Sequence, residues 1–323
     1  MGYKGLMTVL QLLRDRRRDR SLPGQRRDDA RLVLLIEGGS SRGAYSSGMT
    51  IAIEELGLLA AFDAVYGSSA GSLNAAWLLC GQAAKTQHAW WDPLIMRTTI
   101  NLGNALRGKP VVDTDFLVNT VYTKIMPMGF QEILDNPVGF HPIATDARTG
   151  EPVDLHDRIH DQAGVRLALK ASTAMPILAG GPVEMGGQLF VDAGISESVP
   201  VRTALNQQAT HIVALRTMRE DETSGPPPLA ERLVASRWFA RRAPGALAPY
   251  LRGDVLRAEE ERLLARHPAT LQIRPPLGSA RIGRTDRRLS RLREAVDAGR
   301  QAAFDVLAAC VDEPPRRSTC STP

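Results

Sequence analysis

Cysteine is scarce in this 323-residue chain: Cys80, Cys310 and Cys320 are odd in number and spaced for neither a metal site nor a disulfide framework. That excludes a disulfide-stapled secreted scaffold and leads us to expect a reducing, cytoplasmic setting. Long apolar runs are missing as well. The longest, such as residues 75–80 and 32–36, fall far short of the ~20 residues needed to span a bilayer, so no transmembrane helix is expected. No secretory signal is expected, because in MGYKGLMTVLQLLRDRRRDR the arginines follow the apolar run and no small-residue cleavage site comes after it. Gly2 invites a myristoylation reading, which Leu6 removes because Ser or Thr is needed there.

What is present suffices for a full core, since 43% of the residues are hydrophobic. The formal charge of +5 is unevenly spread, with eight Arg against four Asp between residues 14 and 31. Nucleic-acid binding is not expected, because this stretch offers neither a basic stripe nor aromatic or groove-fitting elements. Residues 1–30 read as a basic, solvated and partly disordered arm. A sharper alternative is that Leu6, Met7, Val9, Leu10, Leu12 and Leu13 form an apolar face. The arginines behind it would then meet anionic membrane headgroups through residues 1–28, at the inner membrane face.

Regular structure is expected from Leu32 onward. LVLLIEGG is a continuous apolar run of strand length, as in a buried parallel strand, and SSRGAYSSGMTIAIEELGLL follows with helical spacing. The pattern repeats with a strand at 64–66 and a helix from Gly71. Further strands are expected at 141–145, 189–191 and 211–215, with a helix over 165–174 stopped by Pro176. This alternation predicts a three-layer α/β/α fold on a mostly parallel central sheet, over residues 31–218. REDETSGPPP then reads as a linker, and helices at 229–265 and 286–311 as a helical C-terminal extension within 219–311. The tail, 312–323, reads as disordered.

The strongest chemical signal is Gly67-Ser68-Ser69-Ala70-Gly71, whose glycines sit where a strand must turn sharply into a helix. Small neighbours let the turn take a strained conformation that lifts the Ser69 hydroxyl into the open, with a helix amino terminus facing developing negative charge. So short a match can arise by chance or mark a phosphate-binding or packing turn, and only the strand before it and the helix after it give it weight. One strand earlier lies Glu37-Gly38-Gly39-Ser40-Ser41-Arg42-Gly43. Loops at the carboxyl ends of neighbouring parallel strands lie side by side, so backbone N–H groups here can serve as an oxyanion hole. Read as a dinucleotide fingerprint, the same loop fails, because Ser40 replaces the second glycine. Val191-Asp192-Ala193-Gly194 then places a carboxylate at a strand end, from which Asp192 can take the proton of a serine hydroxyl.

Taken together and in this order, the three motifs resemble the patatin-like phospholipase family over about residues 32–215. The run ALKASTAMPILAGGPVEMGGQLFVDAGISESVPV extends the resemblance. It implies Ser69 as nucleophile, Asp192 as general base, and Gly38, Gly39, Ser40, Arg42 and Gly43 as the oxyanion loop. Gly67, Ser68, Ala70 and Gly71 would form the nucleophile elbow, and Ala193 and Gly194 the aspartate motif. The implied activity is hydrolysis of fatty-acyl esters of phospholipids or other lipids through an acyl-enzyme, without cofactor or metal. Two positions depart from the pattern: Ser40 and Ala193 stand where glycines are usual, and both residue types prefer negative φ, so reshaped turns are expected. Arg42 is expected to brace its loop by pairing with a carboxylate, the alternative being that it supports the oxyanion loop by its charge.

Six histidines are available, His88, His141, His156, His160, His211 and His267, and none follows the acidic residue on a loop as a Ser-His-Asp enzyme requires. His156 and His160, with Asp154, Asp157 and Asp161 nearby, admit a metal pair or a solvated surface. Acyl transfer to an alcohol stays open, as does a lipid-binding or regulatory protein whose site has decayed at Ser40 and Ala193.

Overall fold

A computed structural model of the protein describes residues 7–223, 225 and 228–311; residues 1–6, including Leu6, and 312–323, including Cys320 and the tail expected to be disordered, lie outside the described residues. Among the described residues eight strands form one sheet: β1 (Leu32–Ile36), β2 (Ala64–Ser68), β3 (Gly139–Asp146), β4 (Pro152–Asp154), β5 (Val183–Met185), β6 (Gln188–Val191), β7 (His211–Leu215) and β8 (Thr270–Ile273). Their order is β5-β6-β3-β2-β1-β7-β8, with β4 also on β3. The central strands β3, β2, β1, β7 and β8 run parallel, whereas β4, β5 and β6 pair antiparallel.

Every residue of β1 is buried, which explains its unbroken apolar run: the strand is covered on both faces. Period-two alternation sends Leu32, Leu34 and Ile36 into the larger core and Val33 and Leu35 into a second one. Helices Gly43–Glu55, Ala70–Leu79 and Leu289–Leu307 cover the first face, while Val201–Asn206 and Gly253–Arg266 cover the second. The expected three-layer architecture is therefore present. Helix Leu289–Leu307 lies so close on Gly43–Glu55 that a Cβ at Gly48 would sit 1.9 Å from the Val296 carbonyl oxygen.

Three features differ from the sequence reading. The segment after Met218, read as helices alone, also supplies β8 to the sheet beside β7. Its four residues lie between Pro268 and Pro275 and are too short to carry a periodic signature. Within the expected linker, Arg219 is buried and pairs with Asp221 at 2.8 Å.

The basic arm is the second difference and the short strands β4 and β5 the third. Val9–Arg18 is a helix begun by a capping box between Thr8 and Gln11, and Val9, Leu12 and Leu13 are buried in the main core. Arg16, 2% exposed, bonds Asp28 at 2.6 Å and Asp63 at 2.8 Å. The segment is a packed element rather than a solvated arm, because its apolar side covers the core and its charges find carboxylates distant in sequence. No helix among the described residues is long and apolar enough to cross a membrane.

Candidate active site

The loops after β1 and β2 converge as their parallel order requires. A Cβ at Gly38 would meet the Ser68 carbonyl oxygen at 2.7 Å and Ser69 Cβ at 3.1 Å, so only glycine lets the β1 loop lie against the turn. Ser69 caps helix Ala70–Leu79 with φ 53° and ψ −123°, a conformation rare for a side-chain-bearing residue and the one expected of a strained strand-to-helix turn. Its N–H donates to Ser172 Oγ at 3.1 Å, which pins the turn from helix Gln162–Ser172.

Asp192 follows β6 and reaches the same point. Ser69 Oγ donates to Asp192 Oδ2 at 2.6 Å, and the Gly194 N–H donates to Asp192 Oδ1 at 2.8 Å. The backbone here is held by Thr145 Oγ1, donating to the Asp192 carbonyl at 2.9 Å, and by the Asp192 N–H, donating to the Ala174 carbonyl at 2.9 Å. Burial pushes the Asp192 carboxyl up to about 6, against the opposing pull of the Ser69 and Gly194 bonds and the positive charge of Arg284. A carboxylate poised there can accept a hydroxyl proton near neutral pH.

In the β1 loop the N–H groups are unequally free. Gly38 donates to the Ser198 carbonyl at 3.1 Å, Ser41 to the Arg284 carbonyl at 3.1 Å and Arg42 to the Gly39 carbonyl at 3.2 Å, and Gly43 donates to the Ser40 carbonyl. The N–H groups of Gly39 and Ser40 have no partner among the described residues. Ser40 keeps the left-handed conformation expected of a glycine, with φ 53°. Ala193 instead lies fully buried in a short 3-10 turn at negative φ, where alanine fits without strain.

Arg42 does not brace its loop through an ion pair. Glu37, the nearest carboxylate in sequence, is taken by Arg216 at 2.9 Å, and Arg42 Nε is buried without a hydrogen-bond partner. The guanidinium faces a cavity of about 690 Å³ whose wall includes Gly38, Gly39, Ser40, Ser69, Asp192 and Gly194, together with Arg257 and Arg284. Those last two come from the C-terminal segment, where no motif marks them.

Ser69 also opens onto a second, apolar cavity of about 90 Å³, walled by Leu73, Trp77, Trp90, Met96, Leu117 and Tyr122 among others. No histidine borders either cavity. His141 pairs with Asp154 at 2.6 Å and stacks between Tyr66 and His156, whose Nδ1 lies 2.8 Å from the Phe140 carbonyl. Among the described residues no group of three His, Cys, Asp or Glu side chains is placed to hold a metal ion.

An α/β/α sheet with a serine elbow beside an aspartate at the carboxyl ends of its strands defines the patatin-type hydrolase fold. A family model described as "Patatin-like phospholipase" matches residues 34–205, and the chain belongs to the patatin-like phospholipase family. It is 26% identical over 202 residues to the uncharacterized protein YjjU of Escherichia coli, covering 58% of this chain and 52% of that one. With the lysophospholipase NTE1 of Debaryomyces hansenii it shares 23% identity over 265 residues, or 76% of this chain and 16% of NTE1. The chain thus spans about half of the first relative's length and far less of the second's. The crystal structure of VipD from Legionella pneumophila superposes with a TM-score of 0.52 at 13% identity, over 87% of this chain and 67% of VipD, and so shares the fold.

Proposed function

We propose that the chain is a lipid acyl hydrolase in which Ser69 and Asp192 work as a histidine-free pair. The observation that carries this is the position of Ser69: its hydroxyl bonds a buried aspartate at 2.6 Å and lies between a small apolar cavity and a larger one that charged side chains also border. The first carbons of an acyl chain fit the first and the alcohol portion of an ester the second. The names of the family and of NTE1 support a lipid ester as substrate.

In the proposed cycle, Ser69 Oγ attacks the ester carbonyl carbon as its proton passes to Asp192 Oδ2. The oxyanion is received by the free N–H groups of Gly39 and Ser40 and by the amino end of helix Ala70–Leu79. Collapse expels the alkoxide, which takes the proton from Asp192 and leaves an acyl-serine. Water then attacks the acyl-serine, giving its proton to Asp192. Asp192 returns that proton to Ser69 as the fatty acid departs.

Contact with lipid aggregates fits the cavity mouth, where Leu102, Ile177 and Val234 are exposed. Residues 1–28 suit this role less well, since Val9, Leu12 and Leu13 are already buried. Purified protein should hydrolyse p-nitrophenyl esters and label with a fluorophosphonate. Ser69→Ala should lose labelling and Asp192→Asn should lose turnover by at least about a thousandfold. Undiminished turnover by both variants would end the assignment.

A further inference from the structure

We propose that Arg257 and Arg284, with Arg42, form an anion site beside Ser69 that takes the phosphate of an acylated phosphate ester. The favoured substrate then carries a phosphate whose charge no headgroup cation cancels. This rests on the Ser69 hydrolase reading and names its substrate class.

The three arginines come from three separate stretches: the β1 loop, helix Gly253–Arg266 and the segment before helix Leu289–Leu307. All border the cavity of about 690 Å³ that contains Ser69 and Asp192, a size within the usual range of ligand sites. Their placement is braced. Glu260, one turn beyond Arg257 on the same helix face, accepts from the Ser198 N–H at 2.8 Å and the Val199 N–H at 3.2 Å. That fixes the helix over the chain that follows Asp192. The Ser41 N–H donates to the Arg284 carbonyl at 3.1 Å, tying the third stretch to the first.

Among the described residues no carboxylate pairs with this cluster; Asp192, which feels the charge of Arg284, is held by Ser69 and Gly194 instead. None of the three forms an ion pair among the described residues, and the Nε atoms of both Arg42 and Arg257 are buried without a partner. The nearby carboxylates are committed elsewhere: Glu37 to Arg216 at 2.9 Å and Glu261 to Arg274 at 2.6 Å. Glu231, also on the cavity wall, accepts from Tyr250 Oη at 3.0 Å. Glu260 is pushed up to about 8, first by burial and then by Glu197, so it stays largely protonated at neutral pH. Burial and mutual repulsion hold both Arg42 and Arg257 below the usual guanidinium range. Arg42 and Arg257 are half-buried with an Nε that finds no acceptor, Arg284 is exposed beside them, and a phosphate offers the oxygens their planar forks match. A choline or ethanolamine cation would instead enter a positively charged cavity. The preference is therefore for headgroups of the phosphatidate or glycerophosphate type over zwitterionic ones.

The test compares substrates of one acyl length on the purified full chain: monoacylglycerol, lysophosphatidate and lysophosphatidylcholine. We expect lysophosphatidate to exceed both others at least tenfold in kcat/KM. Arg257→Gln and Arg284→Gln should each reduce that ratio about tenfold or more, with Arg257→Lys restoring part of it. Inorganic phosphate should compete with a p-nitrophenyl ester and raise the Tm of the wild type, a readout that needs no variant to fold. A wild-type ratio of one or less, or a ratio unmoved by both substitutions, overturns the proposal. Phosphate inhibition without any phospholipid preference would mark a site for free phosphate and also overturn the substrate class. Absent ester cleavage and fluorophosphonate labelling, with phosphate still raising Tm, would sink the hydrolase reading and leave the anion site standing.

Discussion

Ser40 and Ser69, on the loops that follow the neighbouring parallel strands β1 and β2, both have φ of 53°. At Ser69 that strain presents the hydroxyl to Asp192, so the residue type is required. Ser40 makes no side-chain hydrogen bond among the described residues that would demand serine, and the conformation costs a non-glycine residue about 1–2 kcal/mol. Ser40→Gly is therefore expected to stabilise the protein by about 1 kcal/mol, less the extra flexibility of the unfolded chain. Urea unfolding measures this. A lower midpoint for the variant would show that the Ser40 side chain contributes a contact that outweighs the strain.

The Asp192 carboxyl sets an opposed dependence of activity and stability on pH. As the proposed base it must be ionised, so kcat/KM should rise as pH passes about 6. Its folded-state pKa lies above the unfolded value of 3.8, so the stability linked to its proton is full below that value and lost as pH rises through about 6. The difference amounts to about 3 kcal/mol. Asp192→Asn should accordingly gain stability over the wild type above pH 6 and lose that advantage near pH 4. Unfolding curves at the two pH values decide it. Equal differences at both would show that the carboxyl is not strained by burial.

The candidate site was legible because each of its three motifs is contiguous in sequence, although Ser69 and Asp192 lie 123 positions apart. Gly67 to Gly71 carries its own turn geometry, and the apolar run of β1 shows directly that both its faces are covered. Legibility failed where function or packing depends on residues brought together from far apart. Arg16 sits in a run of arginines that reads as solvated, yet its acceptors Asp28 and Asp63 lie 12 and 47 positions away. Likewise Arg257 and Arg284 resemble every other arginine of the C-terminal segment until the fold turns them onto the cavity of Ser69. Ser40 and Ala193 look like equivalent departures from glycine. Only backbone angles separate a strained position from a relaxed one.

The Arg16 network gives a stability prediction of its own. This guanidinium bonds Asp28, Asp63 and the carbonyls of Ala30 and Ala61, at 2.6 and 2.9 Å for the carbonyls, and Asp63 also accepts from Arg26 and from the Leu32 N–H at the start of β1. Removing Arg16 leaves buried acceptors and a carboxylate short of a partner. Arg16→Met should cost about 3–5 kcal/mol, and Arg16→Lys should recover little because an ammonium cannot serve both carboxylates in one plane. Thermal unfolding of both variants tests this, and a loss below about 1 kcal/mol for Arg16→Met would mean that the helix Val9–Arg18 is held by its leucines alone.

The apolar cavity makes a prediction about chain length. Its volume of about 90 Å³ equals the liquid share of roughly three waters, which suits about the first three or four carbons of an acyl chain without rearrangement. Leu73, one helical turn beyond Ser69, and Met96, from helix Pro93–Thr99, both border it. Leu73→Trp should fill the space nearest the serine and shift the preferred p-nitrophenyl ester toward acetyl. Met96→Ala should enlarge the cavity and move the optimum to longer chains, at a stability cost of about 2–5 kcal/mol for the lost side chain. Within each series kcat/KM separates the effects, since a methylene in an apolar pocket is worth at most about two hundredfold. If both substitutions leave the chain-length profile where it was, the acyl chain runs through the cavity mouth at Ile177 and Val234 instead, and the smaller cavity is only a packing void behind Ser69.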